Sequence, residues 1–300
     1  MGHDMTGKFI WIVDTLRKYG YLTREELDAL WVKSPLSDGV SIPARTFYHY
    51  RRSIEKNFGI DIECDKLGRY YINSPVNNGQ TAYTNLLLES YAVGSALRES
   101  SIPAMRVEVE DVPSSREFFP LMLEAISNST KIVFTYSGFN RSRAEHDIEF
   151  LPCFLKRYKQ RWYVIGIKVK GNSVRTYALD RIKEMRLTGE QFEMPEALRT
   201  EDLFGNIVGV TTSEAQVRTV RLQTTPTQAK YFRALPLHQS QTEIVHDHYS
   251  IFSYKLKLNY ELVHEILGFG DSVKVLEPPE LKAMVVKQLK DTLEQYGGAV

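Results

Sequence analysis

Two sets of cationic side chains are spaced so that each could work as a unit. Arg45, His49, Arg52 and Lys56 recur at helical intervals, which at 100° per residue gathers them on one side of a helix, with Phe47, Tyr50, Ile54 and Phe58 on the other. With Thr46 beside them, these groups suit a nucleic-acid groove, where Arg and His reach base edges and Lys meets phosphates. Arg45 and His49 lie nearest the helix start and are expected at bases, Lys56 at phosphate. The bland alternative is a solvated amphipathic surface. In the second set, strand alternation places Arg175, Tyr177, Leu179 and Arg181 on one face and Thr176, Ala178 and Asp180 on the other. Two guanidiniums around a phenol suit phosphate forks and base stacking, although Arg181 could instead pair with Asp180 or another carboxylate. Just upstream, Arg157, Tyr158, Lys159 and Arg161 interleave cations with an aromatic ring at a tight turn, which as a solvated turn would do nothing.

No comparable constellation points to catalysis. The sequence holds no Walker loop, serine elbow or paired Cys/His nucleophile. His246 and His248 lack a third ligand, and Gly268-Phe269-Gly270 lacks the third glycine of a dinucleotide fingerprint. The expectation is therefore a non-enzyme without metal or cofactor. The formal net charge of +1 conceals a basic block: residues 131–187 carry 13 Lys and Arg against 5 Asp and Glu, an excess of +8. Such a block in a near-neutral protein is an electrostatic footprint for an anionic partner. Hydrophobic residues at 43% and charged residues at 25% belong to a globular chain rather than a disordered or fibrous one. The longest apolar runs, such as 162–167, fall far short of the roughly 20 residues of a membrane span. Only Cys64 and Cys153 carry thiols, which fits a reducing cytoplasm and no disulfide framework.

At roughly 150 residues per domain, 300 residues make two domains, or three if one is small. Phe9, Ile12, Val13, Leu16 and Tyr19 recur at helical spacing, with Gly20 as a stop. Thr23 and Glu26 form a capping-box pattern that opens a second helix. Ser41 as N-cap and Pro43 in the first turn open the third, which runs to about Phe58. Ile60, Ile62 and Cys64, a turn at 66–68 and a return through 69–72 then predict a hairpin. Three helices and a hairpin make a winged helix-turn-helix over residues 1–75, with Lys66 and Arg69 on the wing against the DNA backbone. Residues 76–115 read as a helical connector, 81–97, and an acidic Pro-containing linker, 108–115. A short helix through Leu121 and Ile126 then precedes strands near 132–136, 148–154, 161–167 and 174–179, the pattern of a small barrel or sandwich.

The run Arg161-Trp162-Tyr163-Val164-Ile165-Gly166, followed by Arg175-Thr176-Tyr177-Ala178-Leu179-Asp180-Arg181-Ile182, resembles the WYL domain of bacterial transcription regulators, with Val164 at the third letter of the name motif. The resemblance covers about 116–195 and includes Tyr136 on the first strand. It implies an Sm-like β-barrel that binds a nucleic-acid or nucleotide-like ligand and controls the DNA-binding domain. Trp162 and Tyr163 match the motif, and Arg175, Asp180 and Arg181 match the basic strand after it. By apolar character Trp162 or Tyr163 equally suits the barrel core. The stretch Leu267-Gly268-Phe269-Gly270-Asp271-Ser272-Val273 through Glu277-Pro278-Pro279 resembles the end of the WCX extension, with Phe269 in the place usually held by Trp. This assigns 196–300 to a linker and an α+β module, and implies dimerisation or ligand contact. The closing helix carries Leu281, Val285, Leu289, Leu293 and Tyr296 on one stripe, to pack on its own sheet or on a second subunit.

Together these readings give a multidomain α+β protein, with winged helix, WYL and WCX parts in that order. Its expected function is that of a cytoplasmic, homodimeric transcription regulator. Arg45, Thr46, His49, Arg52, Lys56, Lys66 and Arg69 meet a double-stranded operator; Tyr136, Arg157, Tyr158, Arg161, Tyr163, Arg175, Tyr177 and Arg181 meet the effector. A nucleic-acid-binding accessory protein of a defence or repair system is the alternative.

Overall fold

The structure is a computed structural model, and it describes residues 5–73, 78–99, 106–108, 110, 117–139, 142–195, 198–212 and 215–297. The chain forms two compact units, Met1–Val109 and Glu110–Val300. The expected linker at 108–115 and the domain start near Arg116 lie almost wholly outside the described residues.

The first unit runs α1 (Met5–Tyr19), β1 (Leu22–Thr23), α2 (Arg24–Val32), α3 (Ala44–Phe58), β2 (Asp61–Cys64), β3 (Arg69–Asn73) and α4 (Asn78–Glu99). Its core takes Phe9, Ile12, Val13 and Leu16 from α1, Leu27 and Trp31 from α2, and Phe47, Tyr50, Ile54 and Phe58 from α3, as the helical periodicity requires. Tyr19 departs from the pattern and is exposed. Gly20 ends α1 at φ +78°, a conformation glycine adopts without a Cβ clash. The capping box at α2 is formed: Thr23 Oγ1 accepts from the Glu26 N–H, and Glu26 carboxylate from the Thr23 N–H at 2.8 Å. Ser41 does not cap α3. Pro43 holds the N-cap position without a side-chain bond, because the preceding backbone is fixed to α2, where Asp28 accepts from the Ile42 N–H at 3.0 Å. The sheet is antiparallel in the order β1-β3-β2. Its two-residue edge strand, with Leu22 opposite Tyr70, is too short to leave a periodic signal.

The second unit contains α5 (Phe119–Ser127), β4 (Thr130–Tyr136), β5 (Glu145–Tyr158), β6 (Arg161–Lys168), β7 (Ser173–Ala178) and β8 (Ile182–Gln191), then α6 (Thr200–Phe204), β9 (Arg218–Thr224), α7 (Pro226–Ala234), β10 (Thr242–Val245), β11 (Ser250–Leu256), α8 (Tyr260–Gly268), β12 (Val273–Glu277) and α9 (Pro279–Gln295). Five strands form an antiparallel sheet in the order β7-β6-β5-β4-β8. The closed barrel expected from the sequence is not formed: β7 and β8 are the two edges of an open sheet. β7 stops at Ala178, Leu179–Arg181 turn as a 3₁₀ helix, and β8 returns to pair with β4. The predicted alternation through Arg181 therefore breaks after Ala178, and Leu179 enters the core.

Met122, Ile132, Phe134, Ile148, Phe150, Val164 and Tyr177 fill the inner face. β5 is bent by a bulge between Pro152 and Phe154, where proline supplies no ladder N–H. Opposite the bulge, Gly166 pairs with Pro152; a Cβ there would collide with the Leu151 carbonyl oxygen and lie 2.9 Å from Phe150 Cε1. The remaining strands form a second antiparallel sheet, β10-β11-β9-β12, packed through Val220, Leu222, Phe252 and Tyr254 against Phe232, Leu262, Ile266 and Leu281. On α9 only Leu281 of the predicted stripe is fully buried, and Val285 is partly packed; Leu289, Leu293 and Tyr296 are exposed. Among the described residues no helix is long and apolar enough to cross a membrane.

Candidate functional site

α3 carries the first cationic surface. Arg45, His49, Arg52 and Lys56 are exposed and Thr46 half-buried on the side opposite its core residues. Tyr48 accepts from Arg52 Nε at 3.3 Å and lies under its guanidinium, which draws Arg52 along the helix. Arg51, one residue away, is structural: its Nε donates to the Ile62 carbonyl at 2.9 Å. At the β2–β3 turn Lys66 is exposed. Arg69 is committed locally, with Nε and Nη2 on Asp65 Oδ2 at 2.9 and 2.7 Å and its guanidinium over Tyr21. Asp65 also accepts the backbone N–H groups of Leu67 and Arg69, and these bonds, that from Arg69 foremost, hold its carboxyl below the usual range. Of the two predicted turn cations, Lys66 has no side-chain partner among the described residues and Arg69 shapes the turn.

The second unit holds an open cleft of about 720 Å³, lined by Tyr136, Phe139, Lys168, Arg175, Arg181 and Tyr260 among others. β4 brings Tyr136, the end of β6 brings Lys168, β7 brings Arg175, and the 3₁₀ turn brings Arg181. Arg175 is exposed. The Arg181 guanidinium lies 3.6 Å over the Phe139 ring, and its buried Nε has no hydrogen-bond partner among the described residues. The Arg181–Asp180 pair that the sequence allowed is not made, because Asp180 turns to Arg161. Lys168 pairs with Glu145 across the same cleft. Tyr177 contributes to the wall but is chiefly core, its ring edge-on to Phe134, Tyr136 and Phe150. Tyr136 Oη accepts from the Ala178 N–H at 3.3 Å, which ties its ring to the end of β7. Arg175, Arg181 and the Glu145-paired Lys168, with four aromatic rings, share one concave surface, which can hold a polyanion bearing planar groups.

The other predicted effector residues are not in this cleft. Arg157 is exposed on β5 opposite Trp162. Tyr158 donates its hydroxyl to Glu265 Oε1 of α8 at 2.8 Å, and Lys159 pairs with the same oxygen at 2.6 Å. Burial, then the Glu265 bond, pushes the Tyr158 phenol well above its ordinary range. Arg161 is taken by Asp180, whose side chain is 6% exposed. Tyr163 sits on β6 between Lys156 and Ala178, and Trp162 packs on Phe119 of α5 with ring centroids 4.9 Å apart. Tyr158 and Lys159 thus brace the β5–β6 turn to α8 through Glu265 and line the edge of the neighbouring cavity, while Arg157 stays exposed and Arg161 holds Asp180. That separate, apolar cavity of about 600 Å³ is lined by Tyr231, Phe232, Leu235 and Phe269 among others.

The sequence missed what the connecting segment contributes. Residues 206–211 thread between the two sheets. Lys156 Nζ donates to the Gly209 carbonyl at 2.6 Å, Thr176 Oγ1 to the Val210 carbonyl at 3.1 Å and Asn259 Nδ2 to the Val208 carbonyl at 2.8 Å. Glu261 Oε1 accepts from the Thr211 N–H and Oγ1 at 2.9 and 2.7 Å. Burial lowers the Lys156 ammonium to about 8, against the opposing pull of Glu261. Thr211 and Tyr260 reach the cleft this way, from far beyond the end of β7 at Ala178, a distance at which no spacing rule operates.

Comparison with protein families decides what this unit is. Residues 117–187 match the WYL domain and 216–293 the WCX domain. The chain carries a WYL domain followed by a WCX domain. Its WYL domain is the α5–β8 segment that supplies the cations of the cleft, and its WCX domain supplies Tyr260 from α8. Comparison with curated proteins gives no match. Among solved structures, the proteasome accessory factor B/C (PafBC) of Arthrobacter aurescens is 20% identical with a TM-score of 0.36, over 99% of this chain and 48% of that one. The chain thus spans about half the length of that protein. A CRISPR Cas-related protein is 10% identical with a TM-score of 0.38, over 98% of this chain and 85% of the other. Overlap this loose says nothing of shared activity.

Proposed function

We propose that this protein is a DNA-binding transcription regulator whose WYL domain senses an anionic, nucleic-acid or nucleotide-like effector. The observation that carries the reading is the cleft of the WYL domain, where Arg175, Arg181 and Lys168 converge with Tyr136 and Phe139. Guanidiniums recognise phosphate oxygens and aromatic rings stack on bases. The first unit serves as a winged helix-turn-helix: α3 enters the major groove with Arg45, Thr46 and His49 toward bases, and Arg52, Lys56 and Lys66 toward phosphates. The WYL sheet acts as an opened variant of an Sm-like barrel. The protein works as a cytoplasmic homodimer on pseudo-palindromic half-sites, without catalysis, and the effector shifts the population between two arrangements of its DNA-binding units.

The test is duplex binding across the protein's own upstream region at several salt concentrations, with and without a single-stranded oligonucleotide. A specific site with a steep salt slope, and an affinity that changes when the oligonucleotide is added, is the expected result. Arg181→Ala should leave basal duplex binding and remove the response. Tight single-strand binding with no specific duplex site would overturn the regulator and favour an accessory protein of a defence or repair system.

A further inference from the structure

The cleft is not built by the WYL domain alone. Tyr260, the first residue of α8 in the WCX domain, lines it beside Thr211. The residue is 65% exposed, large for an aromatic residue that is held in place. Two features hold it. Asn259 caps α8 by accepting from the Leu262 N–H at 3.0 Å while its Nδ2 grips the Val208 carbonyl. One turn on, His264 lies against the Tyr260 ring with centroids 3.7 Å apart, and His264 Nδ1 is 3.1 Å from the Tyr260 carbonyl. The phenol is therefore backed by an imidazole on one face, with most of its surface open at the mouth of a cationic cleft. Phe139, the other exposed ring of the cleft, already has the Arg181 guanidinium over it.

We infer that Tyr260 is a specificity-determining residue of the effector site: a stacking platform for a base or other planar ring of the ligand, supplied by the WCX domain while the WYL domain takes the phosphates. The inference rests on the effector reading of the cleft and adds to it which ligands are retained. A ligand bearing both phosphate and base engages both domains; a phosphate chain without bases engages only Arg175, Arg181 and Lys168.

The experiment measures binding of two fluorescein-labelled single-stranded oligonucleotides of equal length, one with bases and one abasic, to the full chain and to Tyr260→Ala, Tyr260→Phe and Arg181→Ala. Base stacking on an aromatic ring supports about a tenfold effect on affinity. Tyr260→Ala is expected to weaken the intact oligonucleotide about tenfold and leave the abasic one unchanged, with Tyr260→Phe close to wild type. Arg181→Ala is expected to weaken both. Equal weakening of both strands by Tyr260→Ala would mark a structural role and overturn the inference, as would no effect on either. Absence of oligonucleotide binding by the wild-type chain would instead overturn the effector reading itself, so the two failures are distinguishable.

Discussion

Gly166→Ala is predicted to be among the most damaging single-methyl additions in the second unit. The glycine follows the Trp162-Tyr163-Val164-Ile165 run and pairs with Pro152 at the β5 bulge. Its Cβ would collide with the Leu151 carbonyl oxygen, with the Leu151 carbonyl carbon and Phe150 Cε1 both at 2.9 Å. Two of the three obstacles are backbone, so no rotamer change relieves them. β6 must move away from β5, in a buried position where Phe150, Val164 and Ile165 are packed tight. Overpacking of this kind costs about 1–3 kcal/mol, and losing a ladder hydrogen bond adds about 1 kcal/mol, which together give a destabilisation of about 3 kcal/mol. For a unit spanning residues 110–300, this lowers Tm by roughly 6–12 °C. Thermal unfolding followed by circular dichroism reads the shift. Gly268→Ala is the control, since a Cβ there meets nothing within 4 Å, and it is expected to be neutral or slightly stabilising. A Gly166→Ala protein that melts within a degree of wild type would refute the close approach of β5 and β6.

Two further predictions concern charge. Because the folded Lys156 ammonium titrates near 8 against 10.5 in the unfolded chain, the unfolded state holds more protons between these values. Stability therefore rises with pH across that window, with a slope approaching one proton, and the penalty is full below it. Urea denaturation from pH 7.5 to 10 should show this rise in wild type and lose it in Lys156→Met; identical slopes would place the effect elsewhere. On the DNA-binding reading, fluorescence anisotropy with specific and scrambled duplexes separates two roles on the first unit. Lys66→Ala should weaken both duplexes alike and reduce the salt slope by about one, while Arg45→Ala should weaken the specific duplex more and relax sequence preference. The reverse pattern would exchange the roles of the α3 face and the β2–β3 turn.

Local physics was enough for much of this protein. The 3.6-residue period of Phe47, Tyr50, Ile54 and Phe58 buries one side of α3 and leaves Arg45, His49, Arg52 and Lys56 outside whatever the rest of the chain does. The Thr23–Glu26 capping box is likewise a matter of neighbours, and the basic excess at 131–187 is a property of composition alone. Tertiary structure decided which cations are free. Arg161 and Arg181 are equivalent as sequence, yet the 3₁₀ turn after Ala178 gives Asp180 to Arg161 and leaves Arg181 to the cleft. Tyr158 and Lys159 gain a partner in Glu265 only because α8 packs beside the β5–β6 turn. Arg69 meets Asp65 across a turn that only a formed hairpin creates. Thr211 joins the cleft from the connecting segment and Tyr260 from the WCX domain. Backbone conformation is biased by side chains a few residues away, so it can be read along the chain. The partner of a charged or aromatic side chain is chosen by segments that meet only when the sheets pack, and spacing along the chain carries no record of that choice.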